Sequence, residues 1–283
     1  MRGILLLAVL LLSACQHVSV PPPVSADIRD LSTGETLTEQ ELIERLAKPS
    51  RLIVGEQHDN RDHHQLQLWL LQSLGERRPQ GSLLLEMLTP DQQQRVDDVR
   101  HASTTPEDLP AALACQEGWD WDLYGPIVRF ALTQPYPLLA ANLDNLDVRA
   151  VYAKPPALSG SQSNAASVKE ALLVQISDSH CGLLPTSQMP AMLAVQQQRD
   201  RRMAERLLAA PTPSLLFAGA YHARKDVGVP IHVLDLGQAQ APTVLMLAEQ
   251  GAVVTAAMAD YVWYTPASPP QDYCAQMRKQ FGK

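Results

Sequence analysis

Short apolar runs that stop at a glycine or a polar residue recur along the chain and predict buried β-strands. The clearest run covers residues 51–55, which are largely apolar and β-branched and end at Gly55. Comparable runs predict further strands over residues 82–87, 136–142, 214–219, 243–249 and 261–264. Because helical patterns separate several of these runs, the chain is predicted to be an α/β protein, with a mostly parallel central sheet flanked by helices.

Apolar residues at helical spacing predict the helices. Leucines recur every four residues from Leu66 to Leu74, and Asp59 or Asn60 before them suits the N-cap of that helix. Helical patterns over residues 91–133 and 167–210 predict a small helical subdomain inserted into one large domain, residues 27–283. The tail from residue 266 shows no regular pattern and is predicted to be irregular.

Carboxylates and histidines follow three of the predicted strands. Glu56 and His58 come directly after the first strand, Glu86 ends the second, and His222 follows the strand at 214–219. Ligands in open α/β sheets bind at the carboxyl ends of strands. These side chains are therefore expected to converge at that end of the sheet, which we call the rim. Carboxylates with imidazoles suit a divalent metal, or a general base with an orienting acid. The alternative is a buried polar network that fixes the rim of the sheet.

The N-terminal residues predict export and attachment of a lipid. Arg2 precedes an apolar run over residues 4–12 that is too short to cross a bilayer as a folded helix. Leu-Ser-Ala-Cys at residues 12–15 has the form of a bacterial lipoprotein box, which predicts a signal peptide over residues 1–14 and lipidation of Cys15. Ordinary secretory cleavage is the alternative.

The residues after Cys15 predict where the protein is held. Gln16 stands where an Asp would signal retention at the inner membrane, which favours an outer-membrane lipoprotein that faces the periplasm. Residues 15–26 contain three consecutive prolines and predict a stiff tether between the lipid and the domain.

Charge and cysteine content exclude several classes of protein. The net charge is −7, and removal of residues 1–14 takes away only Arg2 among charged residues, which argues against a nucleic-acid partner. Cys115, Cys181 and Cys274 then remain, so at most one intramolecular disulfide forms. The absence of a Cys-x-x-Cys motif excludes a redox motif, a zinc knuckle and covalently attached c-type haem.

Seven motifs in order along the chain identify a family resemblance. They are GEQHDNRDHH at 55–64, LEM at 85–87, AAN at 140–142, HCG at 180–182, RDRRMA at 199–204, HARKDVGVP at 222–230 and YVWYTP at 261–266. With these motifs the chain resembles the ChaN family of iron-regulated, haem-binding lipoproteins, which belongs to a wider group with the Tiki proteases and the erythromycin esterases. The resemblance covers nearly all of the expected mature chain.

The resemblance implies a ligand, an assembly and a disulfide. It implies an α/β domain with a small helical domain, and a homodimer that stacks two haems in a shared pocket. A tyrosine of one subunit is expected to hold each iron, while basic residues of the other subunit meet the propionates. A cysteine near the C-terminus also fits the family, which implies a disulfide between Cys181 and Cys274.

One departure from the family pattern suggests the iron ligand. The family commonly has glycine directly before the histidine of its His-x-Arg segment, and Tyr221 stands there in this chain. A tyrosinate is a hard anionic ligand that suits ferric iron, so we predict Tyr221 as the axial ligand of ferric haem. The same departure puts hydrolytic chemistry at this spot in doubt.

Basic residues and further tyrosines complete the predicted haem site. Positive charge from His222, Arg224 and Lys225 would favour ionisation of the phenol, or would pair with propionates. The remaining predicted contacts with the cofactor are His58, His63 and His64. The tyrosines considered as rival ligands are Tyr124, Tyr152 and Tyr261.

The sequence therefore predicts a lipoprotein that binds ferric haem and receives it through an outer-membrane haem receptor. The alternative is a metal-dependent hydrolase or protease that uses the four rim residues, namely Glu56, His58, Glu86 and His222. Haem binding is favoured because the motifs match the haem-binding branch of the group. A plain interaction module is disfavoured, since no long amphipathic or coiled-coil segment is present.

Overall fold

The structure is a computed structural model that describes residues 22, 24, 27–269 and 271–281. The predicted signal peptide and Cys15 lie outside the described residues, as does nearly all of the predicted tether. No helix in the described part of the chain combines the length and apolar composition that crossing a bilayer would require.

The described strands form one eight-stranded sheet in the order β2-β1-β8-β7-β3-β6-β4-β5. The strands are β1 (Asp27–Asp30), β2 (Thr36–Leu37), β3 (Arg51–Glu56), β4 (Ser82–Leu85), β5 (Leu138–Ala140), β6 (Ser214–Gly219), β7 (Thr243–Glu249) and β8 (Tyr261–Thr265). The six strands from β8 to β5 are parallel, while β1 and β2 add an antiparallel hairpin at one edge. The predicted fold class, a mostly parallel sheet flanked by helices, is confirmed.

Helices cover both faces of the sheet. The first face carries α1 (Glu39–Leu46), α2 (Arg61–Arg77), α3 (Gln93–His101), α4 (Leu109–Ala112) and α5 (Trp121–Leu132). On the second face or packed behind it lie α6 (Asn145–Ala153), α7 (Ala166–Ser179), α8 (Met189–Ala209), α9 (Ala220–Ala223) and α10 (Val229–Asp235). The segments predicted as one helical insert thus lie on opposite faces of the sheet.

The apolar runs form strands because successive side chains enter two different cores. In β3, Leu52 and Val54 pack in the core of the first face, whereas Ile53 packs in the core of the second face. A strand with a buried layer on both sides needs apolar residues at almost every position. This explains why the strand runs in the sequence are continuous rather than alternating.

The C-terminal tail contains a helix, so the prediction of an irregular tail is wrong over part of its length. Helix α11 (Tyr273–Phe281) begins after Asp272, whose side chain accepts a hydrogen bond of 2.7 Å from the backbone N–H of Ala275. The structure joins Cys181 and Cys274 in a disulfide, the pair that the family resemblance implied. Cys115 remains a free thiol.

Candidate functional site

The register of the sheet brings the predicted rim residues together. Glu56 at the end of β3 lies beside Gly219 at the end of β6, and the backbone N–H of Gly219 donates a hydrogen bond of 2.7 Å to Glu86. A Cβ atom on Gly219 would lie 2.7 Å from Cε1 of His58 and 3.6 Å from Oε2 of Glu86. Because Gly219 has no side chain, His58 and Glu86 can both lie close to this position.

Glu56 and His58 form a close pair on the first face. Nδ1 of His58 lies 2.6 Å from Oε1 of Glu56, and the hydroxyl of Tyr124 in α5 donates to the same oxygen at 3.2 Å. Glu56 is fully buried, whereas the side chain of His58 is 46% exposed and meets the ring of Trp119 edge-on. The pair thus presents a fixed imidazole at the surface of the rim.

The charge of Glu56 decides the protonation of His58. Burial by itself lowers the pKa of His58, but the hydrogen bond and charge of Glu56, with further charge from Glu86 and Asp59, raise it to about 9. His58 is consequently an imidazolium at neutral pH. Burial and the neighbouring Glu56 charge also raise the pKa of Tyr124 far above its ordinary value, so this phenol stays protonated.

A second buried network lies on the other face. Nε2 of His222 lies 3.3 Å from Glu86, and Nδ1 lies 2.6 Å from Asp200 in α8. Burial opposes the charge of His222, but the carboxylates of Glu86 and Asp200 outweigh it and raise the pKa of this imidazole. Burial also raises the pKa of Asp200 to about 6 against the opposing effect of His222, whereas charges from His222 and His58 outweigh burial and lower the pKa of Glu86.

These two networks define what chemistry the rim supports. The exposed imidazole, His58, is protonated and therefore suits binding of an anion or donation of a proton better than abstraction of one. His222 is enclosed by its two carboxylates. Among the residues that the structure describes, no three His, Cys, Asp or Glu side chains are grouped so as to hold a metal ion.

His63 and His64, which were predicted to contact the cofactor, are buried at the start of α2. Nδ1 of His63 accepts a hydrogen bond of 3.0 Å from the backbone N–H of Gln57, while its Nε2 lies 3.2 Å from the hydroxyl of Thr265. Burial, followed by the charge of His64, lowers the pKa of His63 to about 4, so it is neutral. His64 donates from Nε2 to the carbonyl of His58 at 3.0 Å. Both rings therefore support the loop that carries His58.

Tyr221, the predicted iron ligand, lies beside an open cavity of about 320 Å³ on the second face. The cavity is lined largely by apolar residues of β7 and of the segment after it, including Met246, Leu247, Ala248, Val253, Val254 and Met258. Tyr221 is 43% exposed, and its hydroxyl makes no hydrogen bond to another residue in the part of the chain that the structure describes. The guanidinium of Arg224 lies 5.7 Å from the centre of its ring.

Both predicted basic contacts already have carboxylate partners. Arg224 binds Asp226 through two hydrogen bonds of 2.8 and 2.6 Å, and Lys225 binds Asp260 at 2.5 Å. Arg224 still lines the cavity, whereas Lys225 is not among the residues that line it. The structure thus brings Tyr221 and Arg224 together at the cavity and directs His222 away from it, into the network with Asp200.

The three rival tyrosines occupy other environments. Tyr124 is buried and bonded to Glu56. Tyr152 lies on α6, and Tyr261 lies at the start of β8, which β7 separates from β3 in the sheet. Of the four tyrosines considered, only Tyr221 lines the cavity.

Sequence reasoning gave Asp200 and Tyr124 no role in the rim networks. Asp200 is fully buried on α8, and a charged residue on the apolar face of that predicted helix was the available signal. Tyr124 was considered only as an iron ligand, and nothing local to its sequence indicates its bond to Glu56. The cavity lining after β7 was also missed, because its apolar residues lie on a segment without regular periodicity.

Comparison with known proteins gives one close match. A family model described as haem-binding uptake, Tiki superfamily, ChaN matches residues 42–233, which is well over half of the chain. A solved structure of cofacial haem binding to ChaN of Campylobacter jejuni is 27% identical, with a TM-score of 0.79. That match covers 86% of this chain and 97% of the Campylobacter chain. The family resemblance drawn from the motifs is confirmed.

Other solved structures are more distant from this chain. An erythromycin esterase in its open conformation is 14% identical with a TM-score of 0.47, over 90% of this chain and 87% of the esterase chain. RRSP, a toxin effector domain from Vibrio vulnificus, is 12% identical with a TM-score of 0.45, over 72% of this chain and 35% of its own. At these values neither structure informs on the activity of this chain. No curated protein matches the chain significantly.

Proposed function

We propose that this chain, which belongs to the ChaN family of haem-binding uptake proteins in the Tiki superfamily, binds ferric haem in the cavity beside Tyr221. The observation that carries the proposal is the exposed phenol of Tyr221 at the edge of an apolar cavity. An apolar wall suits the face of a porphyrin, and a phenol oxygen without a partner suits ferric iron.

Arg224 lies beside Tyr221 at the edge of the cavity. Its guanidinium faces the ring of Tyr221 and is held in place by two hydrogen bonds to Asp226. A guanidinium held in this position suits pairing with a propionate of the bound haem. Haem would bring the iron as a Lewis acid, while this chain provides the anionic ligand, the apolar wall and the cation.

A second copy of the chain is the proposed cover of the bound haem. The cavity is open to the surface, and Val253 at its edge is 78% exposed. A flat porphyrin held there from one side leaves its other face to water, so pairing two such faces removes apolar surface from both subunits. The cofacial haem binding described for Campylobacter ChaN supports this arrangement.

Hemin titration tests the iron ligand. We expect the mature protein to show a Soret shift and a tyrosinate charge-transfer band, and to elute as a dimer when loaded. Tyr221→Phe should lose the charge-transfer band and bind hemin about tenfold or more weakly, because it keeps the ring and removes the ligand oxygen. Tyr152→Phe, on α6, is the matched control. An unchanged band in Tyr221→Phe would remove this residue from the role.

The proposed location is the periplasmic side of the outer membrane, with Cys15 as the lipid attachment site and residues 15–26 as the tether. In this position the protein would receive haem that enters through an outer-membrane receptor. Cys15→Ser should move the protein from the outer-membrane fraction to the soluble periplasmic fraction, because a lipid anchor is the proposed attachment. A variant that stays in the outer-membrane fraction would contradict lipidation at Cys15.

A hydrolase is the second candidate function, favoured by the two carboxylate–imidazole networks at one rim. Glu56, His58, Glu86 and His222 are the residues that would carry it. Assays with ester and peptide substrates, with and without zinc, manganese or cobalt, test this candidate. If the parent protein does not bind hemin and shows turnover that Glu56→Gln abolishes, hydrolysis would replace haem binding as the preferred function.

A further inference from the structure

Helix α11 is fastened to the rim from outside the core. None of its described side chains belongs to either apolar core, and Tyr273 at its start is 48% exposed. Among the residues that the structure describes, two contacts fasten it: the disulfide from Cys274 to Cys181, and a hydrogen bond from the hydroxyl of Tyr273 to Asp59. A helix with so little buried apolar surface depends on such contacts for its position.

The two contacts tie together opposite sides of the rim. Asp59 lies in the loop between β3 and α2, on the first face, whereas Cys181 follows α7, which packs against α8 of the second face. The disulfide closes a loop of 93 residues in sequence, so it fixes elements that the chain itself does not connect locally. Residues 272–274 at the start of α11 therefore connect the two sides of the rim, and we call this connection the clasp.

The clasp reaches the haem cavity through the loop that it holds. Asp59 is two residues from Gln57, which lines the cavity, and next to Asn60. The side-chain amide of Asn60 donates a hydrogen bond of 2.7 Å to Glu249, a second residue of the cavity wall. Release of Asp59 would thus loosen two positions of the wall at once.

We propose that the Cys181–Cys274 disulfide is a redox-controlled clasp that slows the release of haem from this cavity, an inference that rests on the proposed function. A dithiol reductant would open it. One thiolate of the reductant attacks a sulfur of the disulfide and expels the other cysteine as a thiol. The second thiol of the reductant then displaces the first cysteine, so the reductant leaves as a disulfide and the protein gains two thiols.

Opening the clasp should leave the fold intact and raise the rate at which haem leaves the cavity. None of the described side chains of α11 belongs to either core, so the sheet and its helices are expected to persist after reduction. The loop 57–60 would then move more freely beside the cavity, and haem would leave about fivefold faster, as expected when a restrained wall gains local opening.

Haem transfer measures this effect without exposing iron to reductant. The oxidised mature protein and the Cys181→Ser/Cys274→Ser double variant are each loaded with hemin and mixed with excess apomyoglobin, and the Soret change gives the release rate. We expect the double variant to release hemin about fivefold faster. Cys115→Ser keeps the disulfide and should match the parent protein. Tyr273→Phe keeps the disulfide but frees Asp59, and should give an intermediate rate.

Limited proteolysis reports the clasp independently of haem. Arg278 and Lys279 on α11 are exposed, so trypsin should remove the end of the helix faster from the double variant than from the oxidised protein. Equal cleavage rates for the double variant and the oxidised protein would contradict the clasp but not the proposed function. Equal hemin release rates, in proteins that bind hemin, would do the same. An oxidised protein that does not bind hemin would overturn the proposed function and, with it, this inference.

Discussion

The Glu56–His58 pair predicts how one substitution changes both a titration and the stability of the fold. Glu56→Gln keeps the size of the side chain and removes the charge that lies 2.6 Å from Nδ1 of His58. In this variant burial still lowers the pKa of His58, and the charge of Glu56 no longer opposes that effect. We therefore expect this pKa to fall from about 9 to the ordinary value of 6.5 or below.

The size of the stability effect follows from the same shift. A rise in pKa from 6.5 to about 9 corresponds to about 3.4 kcal/mol at about 1.36 kcal/mol per unit. Because the side chain of His58 is 46% exposed, screening by solvent reduces this to about 1–2 kcal/mol.

The sign of the pH dependence is set by the raised pKa. A folded-state pKa above the unfolded value stabilises the protein fully below about pH 6.5, and the stabilisation is lost as the pH rises through about 9. The difference in unfolding free energy between the parent protein and Glu56→Gln should therefore narrow between these two pH values.

Two measurements check the reasoning. A proton NMR titration follows Cε1–H of His58, and urea unfolding at about pH 6 and about pH 10 gives the free energies. Glu107→Gln is the matched control, because this exposed glutamate lies outside the rim and should change neither quantity. A His58 that still titrates near pH 9 in Glu56→Gln would refute Glu56 as the source of its charge.

Two further substitutions, one of them with a control, test the buried ion pair of His222 and the packing against Gly55. Asp200→Asn removes one carboxylate from the buried imidazolium of His222, and we expect about 3 kcal/mol of destabilisation in urea unfolding. A change below about 0.5 kcal/mol would contradict the ion pair. Gly55→Ala would place a Cβ 2.7 Å from the sulfur of Met246, and should destabilise by about 1–3 kcal/mol in thermal unfolding. Gly75→Ala in α2, where a Cβ has no atom within 4 Å, should instead be neutral or stabilising by up to about 1 kcal/mol. Equal effects at the two glycines would contradict the close approach at Gly55.

The sequence alone determined the elements whose causes are local. Strand β3 follows from an apolar run that ends at Gly55 and Glu56, and the side chain of Asn60 caps α2 by accepting from the backbone N–H of His63 at 3.1 Å. The arrival of Glu56, Glu86 and His222 at one rim follows from parallel strands, whose carboxyl ends share one edge.

The family motifs predicted two features that the periodicity of the sequence does not indicate, a disulfide pair and an iron ligand. The Cys181–Cys274 pair came from the resemblance, because three cysteines after the expected cleavage allow several pairings. The choice of Tyr221 came from a departure within a motif. Both depend on a comparison with relatives and not on the physical pattern of the residues.

Only the tertiary structure decided which groups of the rim act together. Tyr124 reaches Glu56 across 68 positions of sequence, and Asp200 reaches His222 across 22, through the packing of helices on each face. The same packing buried His63 and His64, and short-range pairing with Asp226 occupied Arg224. Apolar periodicity places a strand or a helix, but the partner of a polar side chain depends on register and helix position, which are set by the whole core.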